Sequence, residues 1–391
     1  MATREDIKSG ATKTAATKPA ATKPAATKPA ATKPAATKPA ATNQAATKAG
    51  STSPIADPIL SVGGLGFPWK TLDPFLFCVH HDDKYPAGND ALGPAASLAG
   101  RTMGMDFAGK DGWRMYHGRA VPGFPQHPHR GFETISIVRR GHIDHSDSLG
   151  ATARIGPGDV QWMTAGRGIV HSEMFPLLNK DGTNPCEFFQ LWINLPGRNK
   201  MVPPAFKMFW AKEIPTHVFH DAKSRATKVT IVAGELAAKK APEPPEHSWA
   251  AAPGSDVAIY RVQMADEATW TLPPAPAGVN RVIYVFRGAG AQIASRSVMG
   301  SSMVVVHPQA AIPIRAPKGG AELLVLQGRP IGEPVAQRGP FVMNTWDEIQ
   351  TAYRDYNRTR FGGWPWPNDE PVHPRTSGRF ARHANGRVEK A

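Results

Sequence analysis

Between about residue 60 and residue 330 the chain alternates short apolar, β-branched runs with Gly and Pro, the pattern of many short strands joined by turns. Residues 131–141 form one such run, closed by Gly141. Residues 141–150 read as a hairpin with a polar tip, 156–159 as a tight turn, 159–164 as a further strand, and 187–195 as a long apolar strand stopped by Pro196. A second series follows at 228–234, 257–264, 268–272, 281–287, 302–306 and 322–327, and the Ala- and Pro-rich stretch 237–256 reads as an exposed loop. Each series predicts an all-β unit, a barrel or a sandwich. The period then changes. Thr345, Trp346, Asp347 and Glu348 form a capping box, and Ile349, Ala352, Tyr353 and Tyr356 recur at helical spacing. A helix is expected from there to about Arg358, stopped by Gly362 and Gly363.

The N-terminus follows no such pattern. Lysine recurs at 13, 18, 23, 28, 33 and 38, each followed by proline from Lys18 onward, in an Ala-Ala-Thr-Lys-Pro unit. A proline in a helix interior costs ~3 kcal/mol, and the segment has no large apolar side chain to bury, so an extended, disordered tail is expected over 1–57. Charge follows the same division. Of the formal +14, residues 1–49 hold +7 and residues 373–391 hold +4, which leaves +3 for the body between them. Spaced lysines without interleaved aromatics offer weak, salt-sensitive, nonspecific attraction to nucleic acid but no base stacking. Two cysteines, Cys78 and Cys186, make no disulfide framework and read as buried thiols. No apolar run approaches the ~20 residues that span a bilayer, so no membrane role is expected and a cytoplasmic location follows.

Candidate chemistry is concentrated in two short pairs, His127 with His129 and His171 with Glu173. Residues i and i+2 of a strand share a face, so two such strands can bring three imidazoles and one carboxylate to one wall. A mixed N/O set suits a redox-active first-row metal and is close to the 2-His-1-carboxylate triad of non-haem iron enzymes, with one extra His. Two other polar clusters read as exposed turns: His142, Asp144, His145 and Asp147 on the hairpin, and the run His80, His81, Asp82 and Asp83. Glu133, four residues after His129, would share its face on a regular strand.

The residues around these pairs resemble the pirin family. The resemblance is carried by 123–134, by 158–174, by Gln190 to Pro196, by Val232 to Glu235, by Gly339 to Thr345 and by Phe361 to Trp364, and runs from about Leu60 to Trp364. It implies two tandem cupin β-barrels with metal in the first. The implied organisation is a tail at 1–57, a metal-binding barrel at 58–200, a second barrel at 201–338, a helical segment at 339–365 and a basic tail at 366–391. The family pattern places the metal ligands at His127, His129, His171 and Glu173, and leaves Glu133 as a supporting partner beside the metal or in a salt bridge with Arg130 or Arg139. Phe124, Trp162 and Met163 are candidate apolar lining. The second barrel has no histidine where a second pair would sit, so no metal is expected there. A stretch from about His80 to Arg119 is longer than the family's usual connection and could cover the pocket mouth.

Two functional readings follow from the resemblance. One is an iron-dependent dioxygenase of the quercetin 2,3-dioxygenase type, acting on a small aromatic substrate such as a flavonol, with Glu173 as general base. Fe2+ is the implied ion, though Mn, Co, Ni or Cu would fit the same donors. The other is a non-enzymatic, redox-responsive regulator that binds transcription factors or metabolic enzymes.

Overall fold

A computed structural model describes residues 57–391, and the expected tail at 1–57 lies outside them but for its last residue. The described chain is mostly β-strand, arranged as two tandem barrels, with Trp346–Thr359 the one α-helix among the described residues. The first barrel is built from β1 to β10 with one exception. These strands are β1 (Ile59–Gly64), β2 (Phe75–Tyr85), β3 (Gly123–His129), β4 (Phe132–Arg140), β5 (Ile143–Asp147), β6 (Thr152–Ile155), β7 (Val160–Thr164), β8 (Ile169–Met174), β9 (Asn184–Asn194) and β10 (Ala205–Phe209). One sheet runs β10-β7-β4-β9-β2. The other runs β3-β8-β5-β6 and continues into a hairpin made by Phe380–Arg382 and Val388–Lys390. The exception is β1, which pairs antiparallel with Ser302–Val306 at the edge of the second barrel's seven-stranded sheet.

Side chains of the five-stranded sheet alternate between two faces, except where bulges between Phe75 and Phe77 and between Val138 and Arg140 shift the register. On β2 the residues Phe77, Val79 and His81 point into the first barrel, while Phe75 and Cys78 join the core between the barrels. On β9 the inward set is Phe188, Gln190 and Trp192, and the outward set is Phe189, Leu191 and Ile193. Tyr284, Leu324 and Leu326 of the second barrel pack against that outward set. The interior of the second barrel is closed by Val229, Ile231, Val262, Ile283, Val304, Leu323 and Val325, each no more than 1% exposed. Cys78 and Cys186 are buried free thiols.

The helix follows its sequence. Thr345 accepts from the Glu348 backbone, the Glu348 carboxylate accepts from the Thr345 backbone, and Ile349 and Ala352 are buried against Phe341. Among the described residues no helix is long and apolar enough to cross a membrane.

Three expectations are corrected here. The polar cluster expected at the hairpin tip is strand β5, fully enclosed between β6 and β8. The basic segment after 366 is not a free tail. Residues 373–382 return to the first barrel, where the buried Arg154 guanidinium pairs with Asp144 at 2.7 Å and donates to the carbonyls of His373, Pro374 and Ser377. β10, beyond residue 200, pairs with β7 of the first barrel.

Glu133 is the third. His129 and Glu133 do not share a strand, because Gly131 turns the chain between them at φ +86°, where a Cβ would lie 1.9 Å from the Val342 carbonyl oxygen. Beyond that turn Glu133 faces the second barrel. Its carboxyl accepts from Thr164 Oγ1 at 2.6 Å and from Ser248 Oγ at 2.5 Å, with neither Arg130 nor Arg139 as partner.

Two outcomes test these contacts. Burial pushes the Glu133 carboxyl up to about 7 from an ordinary 4.5. Between those values the folded chain holds a proton that the unfolded chain has lost, so the group makes stability fall as pH rises through that window. Glu133→Gln should therefore stabilise the protein above pH ~7 and change little near pH ~5, as read by denaturant titration at both pH values. Arg154→Leu should cost about 3 kcal/mol, because it leaves Asp144 buried without its partner. It should also expose the 373–391 segment to limited proteolysis.

Candidate metal centre

The centre begins with the register of two strands. β3 is the edge of its sheet, which is why it tolerates Pro125 and Pro128. It pairs antiparallel with β8, placing His127 opposite His171 and His129 opposite Ile169. A bulge between Phe124 and His127 adjusts the strand just before the first histidine. The three imidazoles converge. Ring centroids lie 4.7 Å apart for His127 and His129, 4.4 Å for His127 and His171, and 4.9 Å for His129 and His171. One nitrogen from each falls within 4.8 Å of the others.

Hydrogen bonding sets which nitrogen is offered. His127 Nδ1 donates to the Pro125 carbonyl at 2.8 Å, and His129 Nδ1 donates more loosely to the Pro340 carbonyl at 3.4 Å. A carbonyl only accepts, so each ring keeps its Nε2 lone pair free. His171 is 1% exposed, and neither of its ring nitrogens has a partner in the protein. Orphaned polar atoms in a buried site are costly, and a cation among the three lone pairs would satisfy the bare nitrogen of His171. Burial also keeps the rings neutral, holding His127 down at about 4 and His129 and His171 well below the usual imidazole value. Neutral imidazole is the form that ligates.

Glu173 stands aside from this cluster. Its carboxylate is buried, with Ser136 Oγ 2.8 Å from Oε1 and Gln190 Nε2 donating to Oε2 at 3.2 Å. Burial raises its pKa. It lines the same cavity as His127 and His129.

That cavity has a volume of about 790 Å³ and is walled by Phe77, Phe124, Phe188 and Trp192. The long connection after β2 supplies a further wall with Phe107, His117 and Arg119, and the C-terminal return supplies Pro340, Asp369 and Glu370. Phe124 therefore lines the cavity as expected. Trp162 and Met163 do not. Trp162 points outward into the core between the barrels, and Met163 is buried within the first barrel's own apolar cluster.

Two buried groups were hidden from a reading by polarity. His145 and Asp147 lie on β5 opposite Glu173 and His171. Both are buried, His145 Nε2 is 3.3 Å from Asp147 Oδ2, and the His145 ring centroid is 5.5 Å from that of His171. Their spacing of two residues is the same signal that pointed to His127 and His129. His81, also read as exposed, is 5% exposed and lines the cavity. A second cluster, of His80, Asp82 and Glu187, has metal-like spacing. Its central carboxylate is already taken, because Glu187 is bonded by Arg139, Arg140 and Arg287, and is held down at about 2 in spite of burial.

Comparison with known proteins matches the family described as Pirin over residues 66–193, and the Pirin C-terminal cupin domain over residues 259–362. A Pseudomonas aeruginosa protein that carries a provisional quercetin 2,3-dioxygenase name is 36% identical over 240 residues, spanning 61% of this chain and 79% of its own. Human pirin is 33% identical over 253 residues, spanning 63% and 80%. The crystal structure of a quercetin 2,3-dioxygenase from Acinetobacter baumannii superposes with a TM-score of 0.62 at 27% identity, covering 78% of this chain and 98% of that one.

Replacing one imidazole tests the centre without any assay of activity. His171→Ala should weaken Co(II) binding by more than about 100-fold, beyond what loss of an outer hydrogen-bond partner costs. The far-ultraviolet circular dichroism should stay unchanged. Titration of the visible cobalt bands reads the affinity, and equal binding by the variant would remove His171 from the ligand set.

Proposed function

The chain belongs to the pirin family, and from that membership we propose that its first barrel is a metal-dependent dioxygenase acting on a small, hydroxylated, planar aromatic substrate of the flavonol type. The observation that carries the proposal is the buried His171 ring, with both nitrogens unpartnered, between two imidazoles whose Nε2 lone pairs are free, beside a 790 Å³ cavity walled by aromatic rings. Cavities of this size hold small molecules. A closed, fully packed barrel would instead have favoured a regulator without a substrate.

In this reading His127, His129 and His171 hold the ion, which is Fe2+ in the first instance, with Mn, Co, Ni and Cu compatible with the same donors. Such an ion, when bound, supplies Lewis acidity and, if redox-active, electronic coupling between an aromatic enolate and dioxygen. The chain's own groups do the rest. Glu173 takes the proton from the substrate's reacting hydroxyl at its carboxylate, and the burial that raises its pKa improves it as a base near neutrality. Ser136 and Gln190 hold that carboxylate in place until then. If Glu173 serves as a fourth ligand, it exchanges one of those bonds for the ion. Phe124, Phe188 and Trp192 give flat apolar surfaces that orient a planar ring and exclude water.

Oxygen uptake decides the matter. Fe(II)-reconstituted protein should consume oxygen when quercetin is added, and His129→Ala should abolish uptake. Glu173→Gln should lower kcat by about 100-fold or more, the contribution of a general base. No uptake by protein proven to be iron-loaded would reject the flavonol reading.

A further inference from the structure

The cavity has a second polar anchor besides the metal centre. β2 alternation points His81 inward beside Phe77 and Val79. Its ring stacks on Phe188 at 4.3 Å with an interplanar angle of 15°. Phe124 touches both sites, with its ring centroid 5.9 Å from that of His81 and 6.3 Å from that of His127.

Behind His81 runs a chain of hydrogen bonds whose polarity is fixed. Arg114 Nη1 donates to Asp83 Oδ1 at 3.0 Å. Tyr116 Oη donates to Asp83 Oδ2 at 2.6 Å. His81 Nδ1 lies 2.8 Å from Tyr116 Oη. An ionised carboxylate only accepts, so the one phenolic proton is committed to Asp83 and the Tyr116 oxygen is left as an acceptor. His81 Nδ1 must therefore carry the hydrogen. The ring is buried and neutral, with its pKa lowered to about 3 by desolvation, so it has one N–H only and its Nε2 is a bare lone pair. Among the described residues Nε2 has no protein partner, and the residue lines the cavity.

The long connection after β2 is shaped around this chain. Tyr116 is fully buried with φ +57°, a backbone region that non-glycine residues rarely adopt. It is held there by paired backbone bonds with Asp106, at 2.8 and 3.0 Å. Asp106 in turn bonds the buried Arg101, whose guanidinium lies 3.2 Å from the centroid of the Trp113 ring. Such a framework is more than a stacked aromatic ring needs, and it fixes one tautomer of one histidine.

We propose that His81 is a substrate-binding residue: a hydrogen-bond acceptor that takes a ring hydroxyl of the aromatic substrate, across Phe124 from the metal centre, with Tyr116 and Asp83 as the positioning residues that keep Nε2 unprotonated. The proposal rests on the reading that this cavity admits a hydroxylated aromatic, and it deepens that reading by making the pocket count hydroxyls rather than merely accept flat rings. A neutral hydrogen bond of this kind changes affinity by about 3- to 10-fold.

The experiment has two arms, both on the full-length, metal-loaded protein under nitrogen. In the first, binding of quercetin and of flavonols lacking the hydroxyls of one ring or the other is measured by fluorescence titration. One class of hydroxyl should add about 3- to 10-fold in affinity to wild type and nothing to His81→Phe, while the remaining analogues bind both proteins equally. An equal effect on every analogue, or none, would overturn the proposal. In the second arm, 15N resonances of the histidine rings report the tautomer. His81 should be protonated on Nδ1, Tyr116→Phe should shift that balance, and added phenol should move the Nε2 resonance of wild type. An Nε2-protonated His81 would overturn the proposal whatever the substrate. Failure of wild type to bind any flavonol, with the Nδ1-protonated form present and responsive to phenol, would reject the flavonol reading while supporting the hydroxyl subsite.

Discussion

The five-stranded sheet of the first barrel is shared between two interiors, the cavity and the seam with the second barrel, and the site depends on that constraint. Where a strand is buried on both sides, its period of two divides the residues between cavity and inter-barrel core. On β9, Phe188, Gln190 and Trp192 form a pocket wall because Phe189, Leu191 and Ile193 are committed to the second barrel. A slip of one residue would exchange the two sets and put the apolar seam into the cavity. The second barrel thus contributes to the chemistry without touching it, by fixing the register of the strands that line it.

The parts of the molecule visible in the sequence are those in which one local rule decides the outcome. The β-branched run of β4, the turn at 156–159, the capping box at Thr345 and the two-residue spacing that sets His127 beside His129 all express short-range geometry, and they appear where that geometry places them. The parts that were hidden are those in which polar residues are buried by partners distant in sequence. Ile143–Asp147 looks like a solvated turn until β6 and β8 enclose it. His81 and Asp83 look like a surface patch until Tyr116 and Arg114 arrive from the long connection. Glu133 was misplaced because a single left-handed glycine, Gly131, moves the chain from one sheet to the other.

The centre is also supported from farther along the chain than its ligands suggest. The Pro340 carbonyl that holds His129 belongs to the segment after the second barrel. That segment is pinned by Lys200, whose buried ammonium donates to the carbonyls of Gly131 and Val342 and to Asn194 Oδ1. The long connection, the return segment and the first barrel therefore share one cavity, and each of its walls is anchored by a buried charge or polar group rather than by apolar contact alone.

The ends of the described chain trade places. β1 completes the sheet of the second barrel, while the hairpin at Phe380–Lys390 extends the sheet of the first. During vectorial synthesis the first barrel emerges early, but the sheet that bears His171 acquires the Phe380–Lys390 hairpin only after the second barrel has been made, and β1 must wait for a partner more than two hundred residues downstream. The two halves cannot mature in order. The first barrel, though made first, is completed last, by a hairpin that follows the whole of the second barrel.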